Sequence, residues 1–171
     1  MKFYDVLQNR HTCRDFTDKP VETQKIKNII NATMGAPSAG NLQAYKIYIV
    51  QSQEQKESLL SATNYKEFMT KAPLILIFVA DQKQSESKYG ARGFELYSVQ
   101  DATIATTYAQ LAATAEGLAS VWVGAFEPLE VSRVINLMAY EVPVAILAIG
   151  YQNGPVKPTT RRPIEDMVKE I

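Results

Sequence analysis

Apolar residues recur along the chain at two spacings, and each spacing predicts a different kind of element. Ile26, Ile29, Ile30 and Met34 fall three and four residues apart, which predicts a helix from Glu22 to Met34 closed by Gly35. Phe3, Val6 and Leu7 repeat the pattern briefly and predict a short opening helix. Ser52 and Gln55 have the spacing of a capping box, so another helix is expected from Gln53 to Ala62. From Asp101 to Gly117, a run rich in alanine and threonine carries Ile104, Tyr108, Leu111 and Ala115 on one stripe. Its small side chains allow close approach, which suits a helix in the core or at a subunit contact. Pro128, tolerated in a first turn, opens a helix to Leu137, and a short last helix is expected after Pro163.

Strands are predicted at 45–50, 74–79, 120–123 and 142–150. The second is apolar without interruption, so it must be covered on both faces and belongs at the centre of its sheet. Residues 10–18 are polar and expected to be extended or looped. Residues 35–41 form a loop by their Gly, Pro, Ser and Asn content, and Asp81 to Gly93 is expected to be a short, mobile connection. Long helices placed irregularly among about four strands fit a three-layer α-β-α sandwich of the α+β class better than a regularly wound parallel sheet.

Composition narrows the classes. A chain of 171 residues, 46% hydrophobic and 21% charged, is expected to fold as one domain spanning 1–171. Eighteen basic residues balance eighteen acidic ones, so nucleic acid and anionic membrane are not the expected partners. The longest apolar stretch, Ala72 to Ala80, is too short to span a bilayer, and residues 1–5 carry no signal-peptide pattern. A cytoplasmic protein is the expectation. One cysteine and one histidine exclude an internal disulfide and leave no set of ligands for a zinc or iron–sulfur site.

The glycines stand at 35, 40, 90, 93, 117, 124, 150 and 154, and no two are separated by a single residue, so the dinucleotide fingerprint and the phosphate loop are absent. A serine triad would depend on His11 alone, with no nucleophile elbow in the chain. Poor provision for side-chain acid–base chemistry points to a bound cofactor. Arg10, His11, Thr12 and Arg14 concentrate two guanidinium forks, an imidazole and a hydroxyl in one segment, which suits a phosphate monoester and equally a solvated turn. Cys13 between them reads as a small buried filler, turned away by extended alternation; a thiol activated by its arginine neighbours is the alternative. In residues 37–43, Ser38, Asn41 and Gln43 offer groups that could read the edge of a planar heterocycle, or simply make a helix-to-strand turn. Gly124 and Ala125 follow a strand where backbone could approach a flat ring, and Arg161-Arg162 is a late basic pair that could fold back on the first.

Taken in order and spacing, Arg10 to Phe16, Ala36 to Gln43, Gly117 to Phe126, Gly150-Tyr151 and Arg161-Arg162-Pro163 resemble the nitroreductase family from about Phe3 onward. The resemblance implies a central, mostly antiparallel sheet and an obligate homodimer with two FMN molecules in clefts between subunits. It assigns Arg10, His11, Thr12, Arg14 and Arg161 to the flavin and its phosphate, and Pro37, Ser38, Ala39 and Asn41 to a loop reaching the flavin from the other subunit. Gly124 and Ala125 would face the ring near its reactive edge, and Asn64 the pyrimidine edge. The implied activity is a ping-pong transfer of hydride from NADH or NADPH through flavin to a small-molecule acceptor such as a quinone or nitroaromatic. Flavin N5 carries the chemistry, with no catalytic side chain assigned. Dehalogenation, flavin fragmentation and non-catalytic flavin binding are the alternatives; a short connection after Asp81 argues against a tight lid. Gln43-Ala44-Tyr45 departs from the commoner Gln-Pro-Trp, and no lysine before Pro73 is identifiable as the family's.

Overall fold

The uninterrupted apolar strand lies in the interior. A computed structural model of the chain describes residues 1–64, 67–156 and 159–171. In it β2 (Leu74–Asp81) pairs antiparallel with β1 (Tyr45–Val50) on one side and with β4 (Glu141–Gly150) on the other. The remaining strand, β3 (Ala119–Val123), lies antiparallel to β4 at the edge, so the order is β1-β2-β4-β3. Alternation along β2 sends Ile75, Ile77 and Val79 into one apolar cluster and Leu74, Leu76 and Phe78 into the other. Each of these large side chains is fully buried, which favours folding by about 1.5–3 kcal/mol apiece. Pro143, which cannot donate to the ladder, sits where the β2–β4 register shifts beside Phe78 and Val79.

Helices cover both faces, as such a strand demands. On the Ile77 side lie α3 (Gln53–Ala62), α4 (Phe68–Lys71) and α7 (Pro128–Val134), contributing Leu59, Met69 and Val131. On the Phe78 side α2 (Thr23–Thr33) and α6 (Ser98–Ala115) contribute Ile29, Ala105, Ala109 and Ala113. The opening helix, α1 (Phe3–Asn9), contacts α6. Helix α7 ends before Leu137, with Asn136 in the left-handed region (φ 53°). After Pro163 there is only a single 3-10 turn, Ile164–Asp166.

A further expectation is corrected. Asp81 to Gly93 is not a mobile connection: it is helix α5 (Gln82–Arg92), bent at Gly90 (φ 56°, ψ −145°) and joined to α6 through a π-helical turn, Gly93–Tyr97. The Asp81 carboxylate accepts from the Gln84 N–H at 3.0 Å and starts the helix, and its polar residues are its solvated face. The buried stripe of α6 is also the small one, Ala102, Ala105, Ala109 and Ala113, because a thin face lets the helix sit close on the sheet. Of the larger residues, Tyr108 is 39% exposed and Leu111 half-buried, while Ile104 is half-buried against the Phe78-side cluster.

Gly150 closes β4 where Pro73 and Phe16 press on the backbone. A Cβ there would lie 2.6 Å from Pro73 Cδ and 3.1 Å from Phe16 Cδ1. Gly150→Ala is therefore expected to destabilise the fold by about 1–3 kcal/mol through overpacking. Urea unfolding should show a lower midpoint at constant slope; an unchanged midpoint would mean that the contact relaxes freely.

Candidate functional site

The arginine strip is extended because it is sewn to the sheet at both ends. Arg10 caps α1 in an extended conformation, and Thr12 then forms a parallel bridge with Ser120 of β3 while the Cys13 N–H donates to Ser120 O at 2.9 Å. Phe16 pairs antiparallel with Gln152, and the Thr17 N–H donates to Tyr151 O at 2.8 Å. Extended alternation buries Cys13 and leaves Thr12 and Arg14 exposed. Burial pushes the Cys13 thiol up, against the reading in which its arginine neighbours activate it.

Residues 11–15 and 152–155 enclose a cleft of about 380 Å³. Arg14 is exposed and Arg10 half-buried, and neither guanidinium has an acidic partner among the described residues. The Asp15 carboxylate, which would repel an anion here, accepts from Asn153 Nδ2 at 3.3 and 3.4 Å. His11 also borders the cleft, with its Nδ1 2.7 Å from Asn9 O and its Nε2 2.5 Å from Gln152 Oε1. Both ring nitrogens are committed to protein oxygens, so His11 holds the strip in place.

Asn64 and the pair Gly124–Ala125 are brought to one neighbourhood. Asn64 is exposed and left-handed (φ 51°) just past α3, and the Glu127 N–H donates to Ala62 O at 2.7 Å, tying the loop after β3 to the end of α3. Gly124 stands four residues along β3 from Ser120, on the order of 13 Å at the usual rise per residue. The sheet edge thus links the arginine strip at one end to an exposed glycine and asparagine at the other.

The loop 37–43 stands apart from that edge. Pro37, Ser38 and Ala39 border a separate cavity of about 510 Å³ with Tyr97, Asp101 and Ile104. Gly40, Asn41 and Gln43 are all left-handed, at φ 56°, 58° and 48°. Internal bonds hold them there: the Gln43 N–H donates to Ser38 Oγ at 3.0 Å and Gln43 Nε2 donates to Asn41 O at 2.9 Å. Among the described residues, none borders both this cavity and the arginine cleft. Arg161 is not brought to the strip either. It lies in the exposed segment 159–171, and its guanidinium donates to Thr159 O and Thr160 O at 3.3 and 2.9 Å.

Several residues at these sites escaped sequence reasoning. Lys88 and Tyr89 of α5 lie against the loop, where a Cβ on Gly40 would fall 2.4 Å from Tyr89 Oη and 2.7 Å from Lys88 Nζ. Helix α5 therefore covers part of this loop. Asp101 is the other, an acid alone in a run of alanine and threonine, which was the available signal.

The sequence model of the nitroreductase family matches residues 7–64 and 53–151. The chain belongs to the nitroreductase family. Among curated relatives of this nitroreductase, an FMN reductase (NAD(P)H) from Bacillus subtilis is 30% identical over 158 residues, covering 85% of this chain and 64% of that longer protein. An NADH dehydrogenase from Thermus thermophilus is 27% identical, covering 93% of this chain and 91% of its own length. A solved nitroreductase family protein from Clostridium difficile superposes with a TM-score of 0.88 at 29% identity, over 99% of this chain and 98% of that one. The three-layer α+β fold is the nitroreductase fold.

In this nitroreductase, Tyr151 anchors the segment that pairs with the strip: its hydroxyl donates to Glu22 Oε2 at 2.6 Å, and the Lys19 ammonium sits 3.9 Å from its ring centroid. The Tyr151 hydroxyl first, and then the Glu22 N–H and Lys19, hold the Glu22 carboxyl down at about 2 against an ordinary 4.5. A carboxyl depressed on folding stabilises the fold above its ordinary value and loses that contribution as pH falls toward about 2. Tyr151→Phe is expected to move the Glu22 midpoint, followed by carboxyl NMR, back toward 4.5; a midpoint that stays put would rule out the tyrosine as its cause.

Proposed function

We propose that this chain is an FMN-dependent NAD(P)H oxidoreductase acting as a homodimer on a small-molecule acceptor such as a quinone or nitroaromatic. The observation that supports it best is the division of the family's flavin contacts between two separate surfaces of one chain. On the first surface Arg10, Arg14 and Thr12 are of the right chemistry for a phosphate monoester: two unpaired guanidiniums and an exposed hydroxyl beside backbone that is already fixed. Gly124, Ala125 and Asn64 at the far end of the same edge would face the ring, and Arg161 would complete the phosphate contacts.

The second surface supplies Pro37, Ser38, Ala39, Asn41 and Gln43, and in this reading it serves the partner's cofactor. The exposed Tyr108 and half-buried Leu111 of α6 give a second copy apolar surface to cover. When bound, FMN supplies a two-electron carrier that receives hydride from NADH or NADPH and passes it to the acceptor in a separate half-reaction. The protein's own part is to bind and orient. Arg14 offsets negative charge, and the backbone at Gly124 and Ala125 fixes the ring's position. No helix among the described residues is long and apolar enough to cross a membrane, and a cytoplasmic setting belongs to the same proposal.

The purified protein is expected to be yellow, to release FMN on denaturation and to consume NAD(P)H steadily with a quinone. A colourless protein that takes up no added FMN would overturn the reading, and reduction without turnover would leave only a flavin-binding dimer. Arg10→Ala and Arg14→Ala should each weaken FMN binding by about 1.5–3 kcal/mol, the value of a charge-assisted hydrogen bond. Fluorescence titration of free FMN measures this; affinity untouched by either change would mean that the strip has another purpose.

A further inference from the structure

We propose that Asp101 is the positioning residue that holds residues 39–44 in the shape that receives the cofactor, an inference that rests on the flavin reading above. Its carboxylate accepts from the Ala39 N–H at 2.9 Å on one oxygen and from the Ala44 N–H at 3.3 Å on the other. One side chain on a long, regular helix thus holds both ends of the loop. Between those ends stand Gly40, Asn41 and Gln43, all in the sparsely populated left-handed region. The Ser38 to Gln43 bond, offset by one residue, overlaps this clasp. Without the clasp, the two non-glycine residues gain by relaxing to ordinary conformations, and the loop loses its outline.

The residue type matters. Asp101 is 2% exposed and forms no ion pair among the described residues. Burying a carboxylate without a cation is unfavourable unless hydrogen bonds replace its water. The alanines and threonines around it show that packing on the sheet does not call for an acid. What calls for one is the need for two acceptors: a carboxylate has no donor, whereas an asparagine would turn an NH₂ toward one of the two N–H groups. Asp101 borders the 510 Å³ cavity, yet its oxygens are both engaged by the loop. It therefore acts through Ser38 and Asn41 and touches no reacting atom.

The test compares wild type, Asp101→Asn and Thr114→Val. The last is a control on the same helix that removes a hydroxyl bond from Thr114 Oγ1 to Gln110 O. Amide hydrogen exchange by NMR on cofactor-free protein is expected to show Ala39 and Ala44 protected in wild type and in Thr114→Val. In Asp101→Asn they should exchange at least tenfold faster, with amides of β2 unaffected. FMN titration should show a dissociation constant raised at least tenfold in Asp101→Asn and unchanged in the control. Equal FMN affinity of Asp101→Asn and wild type would overturn the proposal alone, as would an equal loss in Thr114→Val. A wild type that takes up no FMN would overturn the functional reading and this proposal with it. Should Asp101→Asn fail to fold, rapid exchange of Ala39 and Ala44 in wild type would still refute the clasp.

Discussion

The burial of Leu74–Asp81 on both faces is the constraint from which the rest of the architecture follows. A strand with no polar side must be covered twice, and alternate residues must suit two different surroundings. Ile75, Ile77 and Val79 meet side chains of α3, α4 and α7, while Leu74, Leu76 and Phe78 meet the alanine face of α6 and the isoleucines of α2. Backbone near that centre is fully paired and has nothing to offer a ligand. Binding chemistry is therefore displaced to the margins: the free edge of β3, and the loop between α2 and β1.

The two margins are held by different physics. The arginine strip borrows the sheet's own hydrogen bonding, with its amides paired to Ser120 and Tyr151, so its side chains alternate in and out without strain. The 37–43 loop has no ladder to join, and three of its residues stand in the left-handed region. Its shape is sustained by side chains, Ser38 from within and Asp101 from outside. The shape of one site follows from backbone pairing; the shape of the other depends on particular acceptors.

This difference explains how much could be read in advance. Elements with a strong period were legible: β1 and α3 have the bounds that spacing and capping predict, and Cys13 is turned inward as alternation requires. The extended course of the strip was legible because its polar alternation is local. Helix α5 was not, since only Asp81 as a cap marks it and its polar composition matches that of a loop. On α6 the small residues were the legible sign, and its alanines form the face that lies close on the sheet. Asp101 stands out as an acid among alanine and threonine, but its role does not. Its partners are backbone amides 57 and 62 residues away, and no side-chain pattern records them.

Cys13, the chain's single cysteine, lies beneath the strip with its Sγ 3.0 Å from Asp15 O, and burial disfavours its thiolate. It is thereby a built-in probe of strip detachment. Alkylation of this thiol must wait for the segment between α1 and α2 to lift from the sheet edge, so its labelling rate counts openings. A ligand that grips Arg10 and Arg14 would slow that rate, turning occupancy of the cleft into a chemical clock.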